Sequence, residues 1–254
     1  MIAATRPVAY FVFVAAGLAV AAFAARWQGR RTDLDSAKGA AVRMAALLGA
    51  IAGAYLLQLP ADLIFFYEPA HEGSAGDAMP LGGRTVLGGL LGGIGAVELQ
   101  KRRLRIHSST GDSFALPLAL ALAFGRLGCW FAGCCGGRVC EPAWWTVCGP
   151  DGETRVPVQL VESVVHFGAA AAFAVLSTRA RPGPSSGRAF ATYVTAYGVL
   201  RVLLEEVRNH PRVLGPLTWH QGLSLCLVSL GLWLLRRSRT RTNPIGDAGQ
   251  SGSR

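Results

Sequence analysis

The chain has 254 residues and a formal net charge of +10; 51% of its residues are hydrophobic and 16% charged. A soluble domain carries about a quarter charged residues, and here the apolar residues fall in long Ala-, Leu-, Val- and Gly-rich blocks, so a sizeable soluble domain is excluded and a single membrane domain is expected. The basic residues sit in short runs between those blocks, the pattern of cytoplasmic loops, so no nucleic-acid partner is expected.

In chain order, the composition predicts an all-α, polytopic integral membrane protein of about seven transmembrane helices. The apolar segments are Val8–Ala25, Ala40–Leu59, Thr85–Leu99, Ser113–Phe131, Val158–Leu176, Ala189–Leu204 and Leu217–Leu235. A bilayer core requires about 20 helical residues; the third and sixth segments are shorter and are expected to sit inside a bundle. The third carries Gly88, Gly89, Gly92, Gly93 and Gly95, which suits close helix contact. The first segment, preceded by Arg6 and ending in Ala22-Phe23-Ala24, also has features of a secretory signal peptide. Its stronger positive flank follows the run, however, which favours a span.

The loops set the expected orientation. Those after the first, third, fifth and seventh spans, with the tail, hold 17 of the 25 basic residues, among them Arg26, Arg30, Arg31, Lys101, Arg102, Arg103, Arg181, Arg236 and Arg254. The alternate loops carry Arg6, Arg84, Arg138, Arg155, Arg208 and Arg212 with Asp62, Glu68, Glu72, Asp77, Glu141, Asp151 and Glu153. The positive-inside rule makes the first set cytoplasmic, which puts the N-terminus outside and the C-terminus inside. Residues 1–237 are expected to form the membrane domain and residues 238–254 a disordered cytoplasmic tail.

Four ionisable residues stand out: Arg126, Glu162 and Arg201 lie inside apolar segments, and Glu205 directly follows the sixth. Buried charges are costly in a bilayer, and Arg126, Glu162 and Arg201 lie at outer-leaflet depth in the predicted topology, with Glu205 one turn beyond Arg201. Tyr10, at the outer end of the first span, is placed to join them. Arg201 and Glu205 are an i, i+4 pair on one helix face. Two readings stand: ion pairs that lock the bundle, or a site for an anionic lipid headgroup, for which the guanidinium fork is suited.

Five of the six cysteines, Cys129, Cys134, Cys135, Cys140 and Cys148, lie in or beside one external loop, while Cys226 lies in the last span. Disulfides fit an oxidising exterior. A reactive thiol near Arg126 is a second reading; the spacing is not a standard zinc pattern, and no metal or cofactor is expected.

Several of these segments together resemble the prolipoprotein diacylglyceryl transferase family. The resemblance rests on Gly125-Arg126-Leu127-Gly128 followed by Gly137-Arg138, on Pro157-Val158-Gln159-Leu160-Val161-Glu162, on Tyr197-Gly198-Val199-Leu200-Arg201 continuing to Glu205 and Arg208, and on Gln221-Gly222-Leu223-Ser224. Gly88-Gly89 and Tyr10 also fall where the family has a Gly-Gly pair and a tyrosine. The resemblance implies transfer of diacylglycerol from phosphatidylglycerol to the lipobox cysteine thiol of prolipoprotein signal peptides, in the bacterial inner membrane. It implies catalytic roles for Arg126 and Arg201, and substrate-binding roles for Tyr10, Gly88, Gly89, Gly133, Gly137, Arg138, Glu162 and Glu205. The chain departs from the family pattern at Leu87, where the family has histidine, and at Cys129, Ala132 and Cys134, where it has two asparagines and a glutamate. A non-catalytic relative that binds anionic lipid or a lipoprotein signal, and a membrane thiol-redox protein, are the alternatives.

Overall fold

The computed structural model describes residues 2–29, 37–67, 84–149, 152–179, 186–208 and 210–241. Its helices are α1 (Ile2–Gly29), α2 (Ala37–Leu56), α3 (Leu59–Tyr67), α4 (Val86–Arg103), α5 (Asp112–Ala132), α6 (Val158–Arg179), α7 (Arg188–Glu205) and α8 (Trp219–Arg241). Two small antiparallel ribbons pair β1 (Val147–Cys148) with β2 (Thr154–Arg155), and β3 (Arg212–Leu214) with β4 (Leu217–Thr218).

The chain is an all-α membrane protein. Among the described residues, four stretches are helical, long and apolar enough to cross a membrane: Val8–Gln28, Ala37–Leu63, Asp112–Ala132 and Val158–Arg179. Helices α4, α7 and α8 have comparable length but carry polar load. Helix α4 ends on Lys101, Arg102 and Arg103; α7 holds Arg188, Arg201 and Glu205; α8 opens on His220-Gln221 and closes on a run of arginines. The two segments expected to be short are helices of 18 residues each. Helix α8 continues to Arg241, past the expected start of the tail. Residues 242–254 lie outside the described residues, as do Arg30, Arg31, Glu68, Glu72, Asp77, Asp151 and Arg181.

The chain forms two compact units. In the first, which takes residues 1–32, 109–210 and 228–254, α5 packs against α1, α6 and α7. Small residues permit this: Ala115, Ala119 and Ala123 on α5 are buried to 1% exposure or less. Ala24 of α1, Ala170 of α6 and Tyr193 of α7 close the same apolar cluster. Asp112, in the first turn of α5, also accepts from the Gly187 and Phe190 backbone N–H groups at 2.7 and 3.0 Å, so one carboxylate ties the starts of α5 and α7 together. The outward faces are apolar: Phe11 and Phe23 on α1 and Val164 on α6 are well exposed, as expected of side chains that meet lipid instead of water.

The second unit takes residues 33–108 and 211–227. Its centre is a close crossing of α2 and α4. A Cβ at Gly53 or Gly92 would strike the facing glycine's Cα at 2.8 Å, and Gly88 faces the Gly53 carbonyl. Gly49-x-x-x-Gly53 therefore meets Gly88-x-x-x-Gly92, a small-residue seam that lets two backbones approach. At one end of this unit, Trp219 Nε1 donates to the Leu57 carbonyl at 2.8 Å, and His220 Nε2 lies 3.3 Å from Gln58 Oε1.

The seam predicts that Gly92→Val destabilises the protein by about 1–3 kcal/mol, the usual range for overpacking. Gly95→Val is the control, because no atom lies within 4 Å of its added Cβ. Thermal unfolding in detergent reads the difference. Equal melting temperatures for the two variants would contradict the seam.

Candidate active site

The buried charges of the first unit converge on one carboxylate. Glu162 lies on the first turns of α6 with no exposed surface. The Ser163 hydroxyl donates to the Ala123 carbonyl at 3.0 Å, which holds that turn against α5 one helical turn before Arg126. Arg126 Nε contacts Glu162 Oε2. Arg201 Nη1 donates to Glu162 Oε1 at 2.8 Å, and Arg208 Nη2 donates to the same oxygen at 3.1 Å. Tyr197, one turn before Arg201, donates its hydroxyl to Glu162 Oε2 at 3.4 Å.

A second carboxylate extends the network. Arg201 Nη2 reaches Glu205 Oε2 at 3.4 Å, and His210 Nδ1 lies 2.5 Å from Glu205 Oε1. After α7 the backbone turns tightly, with the Arg208 N–H bonded to the Glu205 carbonyl at 3.1 Å, and this turn brings Arg208 back over the helix end. Arg126, Glu162, Arg201 and Glu205 are all buried, at 7% exposure or less. Among the described residues three guanidiniums thus face two carboxylates, one more guanidinium than carboxylate. Nε of Arg201 and Nε of Arg208 are buried donors without a hydrogen-bond partner. A buried unsatisfied donor is unfavourable, so these are places where an anion could be received.

The four charged residues singled out from the sequence are thus brought together. Tyr10 lies against Gly128, two residues beyond Arg126 on α5: a Cβ at Gly128 would touch the Tyr10 ring at 3.4 Å. Gly137 is buried, and its N–H donates to the Val156 carbonyl at 3.0 Å; a Cβ there would strike Val156 at 2.7 Å. The Arg138 N–H donates to the Val207 carbonyl at 2.8 Å, so this strand-like segment clamps the turn that carries Arg208. Gly88 and Gly89 belong to the second unit, where Gly88 forms part of the α2–α4 seam and Leu87 is fully buried.

Sequence reading treated Arg208 as a loop charge and gave no role to His166 or Tyr193. His166 is fully buried, and its Nδ1 lies 2.8 Å from the Tyr193 hydroxyl. The helical spacing held a signal for the last two. Tyr193 precedes Tyr197 by four positions and Arg201 by eight, and His166 follows Glu162 by four, so each shares a helix face with a charge already identified.

All six cysteines are unpaired thiols. Helix α5 ends at Gly133, whose φ of 72° is left-handed, and the Cys134 N–H bonds back to the Cys129 carbonyl at 3.1 Å. The sulfurs of Cys129, Cys134 and Cys135 lie within 4.8 Å of one another; Cys140 and Cys148 are not in this group. Hydrogen bonds from Cys129 and Cys134, helped by the charges of Arg126 and Arg208 and opposed by burial, hold the Cys135 thiol well below the usual thiol range.

Helices α5, α6 and α7 and the turn after α7 thus gather three arginines around one buried carboxylate. The family model described as prolipoprotein diacylglyceryl transferase matches residues 4–237, and the chain belongs to that family. It is similar to phosphatidylglycerol–prolipoprotein diacylglyceryl transferases from Clostridium tetani (31% identical, over 63% of this chain and 66% of the relative), Nitratidesulfovibrio vulgaris (37%, over 66% and 63%) and Azospirillum brasilense (32%, over 70% and 71%). The chain thus spans slightly less than two thirds of the length of the first two of these relatives.

The network predicts that Glu162→Gln is strongly destabilising. Removing one partner of a buried ion pair costs roughly 3–5 kcal/mol, and here it leaves Arg126, Arg201 and Arg208 facing each other. Unfolding in detergent should show a large drop in melting temperature relative to wild type. A Glu162→Gln protein as stable as wild type would mean that the charges are separated by water or lipid.

Proposed function

We propose that the protein transfers the diacylglyceryl group of phosphatidylglycerol to the lipobox cysteine thiol of prolipoproteins at the outer leaflet of the bacterial inner membrane. The observation that carries this reading is the surplus positive charge, with the unpartnered Nε donors of Arg201 and Arg208, inside the network that Arg126 shares through Glu162. Family membership and the names of the relatives support it.

In the proposed reaction a thiolate attacks the glycerol carbon of the diacylglyceryl group. The C–S bond forms, the C–O bond to phosphate breaks, and glycerol phosphate leaves with the electron pair. A phosphodiester carries one negative charge and matches the surplus. The departing phosphate monoester develops more negative charge, about −1.5 to −2 near neutral pH. The arginines therefore stabilise the transition state more than the bound lipid, which is the condition for catalysis. The thiol proton requires an acceptor. Glu162 is committed to three arginines, and Leu87 stands where the family has histidine. His210 is the acceptor we assign: its Nδ1 lies 2.5 Å from Glu205 Oε1, and a carboxylate at that position favours the Nδ1–H tautomer of the neutral ring.

The proposed topology has seven spans, with residues 1–237 as the membrane domain, the N-terminus outside and residues 238–254 in the cytoplasm; the loop charges support it. Reporter fusions at Gly152 and Asn243 are expected to read outside and inside, respectively. A cytoplasmic signal at Gly152 would overturn both the topology and an outward-facing site.

The mass shift of a lipobox peptide incubated with phosphatidylglycerol and purified protein tests the reaction. Arg126→Ala and Arg201→Ala are expected to lose about 10²–10³-fold, the scale for removing one preorganised donor to a developing anion. Arg201→Lys should fail as well, because a point charge does not reproduce the fork. His210→Ala is expected to lose about a hundredfold or more while phosphatidylglycerol binding persists. A stable wild-type protein that gives no shift, or a shift unaffected by the arginine variants, would favour a non-catalytic lipid-binding relative.

A further inference from the structure

The cysteine cluster at the end of α5 is not used by the proposed transfer, and its geometry is specific. The left-handed Gly133 and the bond from the Cys134 N–H to the Cys129 carbonyl fold the chain back over the helix end. Cys134 thereby returns above Cys129. Gln159 Nε2 donates to the Cys134 carbonyl at 2.6 Å and pins the turn from α6. Cys135 has a φ of 62°, and among the described residues only Arg105 is another non-glycine residue with positive φ. Such a backbone is disfavoured for a side chain bearing a Cβ and marks a constrained position. It leaves the Cys135 sulfur 3.6 Å from that of Cys134.

We propose that Cys129, Cys134 and Cys135 form a three-thiolate site for a soft monovalent metal ion, with copper(I) as the cation it fits. Sulfur–sulfur distances of 4.8 Å or less put the centre of the triangle within about 2.8 Å of each sulfur, so a small contraction reaches a metal–thiolate bond of about 2.3 Å. Thiolates select soft ions such as copper(I) and zinc. Zinc completes a tetrahedron, and among the described residues no fourth histidine, cysteine or carboxylate joins this group. Three sulfurs alone suit a trigonal copper(I) centre. Binding releases the thiol protons to solvent and leaves a site of net charge −2. A disulfide would use only two of the three sulfurs.

This inference rests on the sulfurs and goes beyond the transferase reading; either can fail without the other. The full-length protein, reduced and then desalted without oxygen in detergent, is titrated with copper(I) against bicinchoninate. The expected result is one copper per chain. Cys134→Ser and Cys135→Ser should each weaken retention at least tenfold, while Cys148→Ser and Cys226→Ser leave it unchanged. X-ray absorption of the copper-loaded wild type should show three sulfur neighbours at about 2.3 Å, a readout independent of how the variants fold. Uptake that survives Cys134→Ser and Cys135→Ser, or a wild-type centre with fewer than three sulfurs, would overturn the site.

Discussion

The Glu162 carboxylate is the constraint on which the first unit depends. Three guanidiniums from α5, α7 and the turn after α7 reach it. Two like charges about 4 Å apart repel by about 4 kcal/mol at an effective dielectric constant of 20. Without a shared anion, α5, α7 and the turn after α7 could not hold those arginines together. The small residues Ala119 and Ala123 on α5 allow α6 to come close enough for Glu162 to serve Arg126 as well as Arg201. Packing and electrostatics thus impose the same arrangement: the small face of α5 exists so that charges on three elements can meet.

A structural ion-pair network would balance its charges and satisfy its donors. This one leaves donors unsatisfied. It has three cations to two carboxylates, and it leaves guanidinium N–H groups of Arg201 and Arg208 buried without acceptors. The imbalance is what the proposed phosphodiester would correct. It also explains how a network can be necessary for folding and still be available for chemistry. Glu162 neutralises part of the charge, and in the proposed reaction the lipid phosphate meets the remainder.

The helical membrane character was legible in the apolar blocks, and the meeting of Arg126, Glu162, Arg201 and Glu205 was legible because charges in such blocks are costly and must find one another. The role of Arg208 was not, because it depends on the turn of backbone after Glu205, and a position beyond a helix end carries no periodic signal. The cysteines illustrate the same limit. Their crowding in one segment was plain, but which three converge is decided by the left-handed Gly133 and the reversed bond to Cys129, not by spacing along the chain. Gly88 and Gly89 carried a family resemblance, yet in the second unit Gly88 is explained by backbone contact with Gly53. Of the seven apolar segments read from the sequence, those in α4, α7 and α8 carry polar residues that lower their apolar signal.

The central claim is that the charge surplus around Glu162 is a phosphate site. Native mass spectrometry of the full chain with equal amounts of phosphatidylglycerol and phosphatidylcholine tests it most directly, because it reads binding without requiring turnover. The account predicts preferential retention of phosphatidylglycerol by the wild type and loss of that preference in Arg201→Ala. Equal retention of the two lipids, or a preference that survives Arg201→Ala in a folded protein, would contradict it.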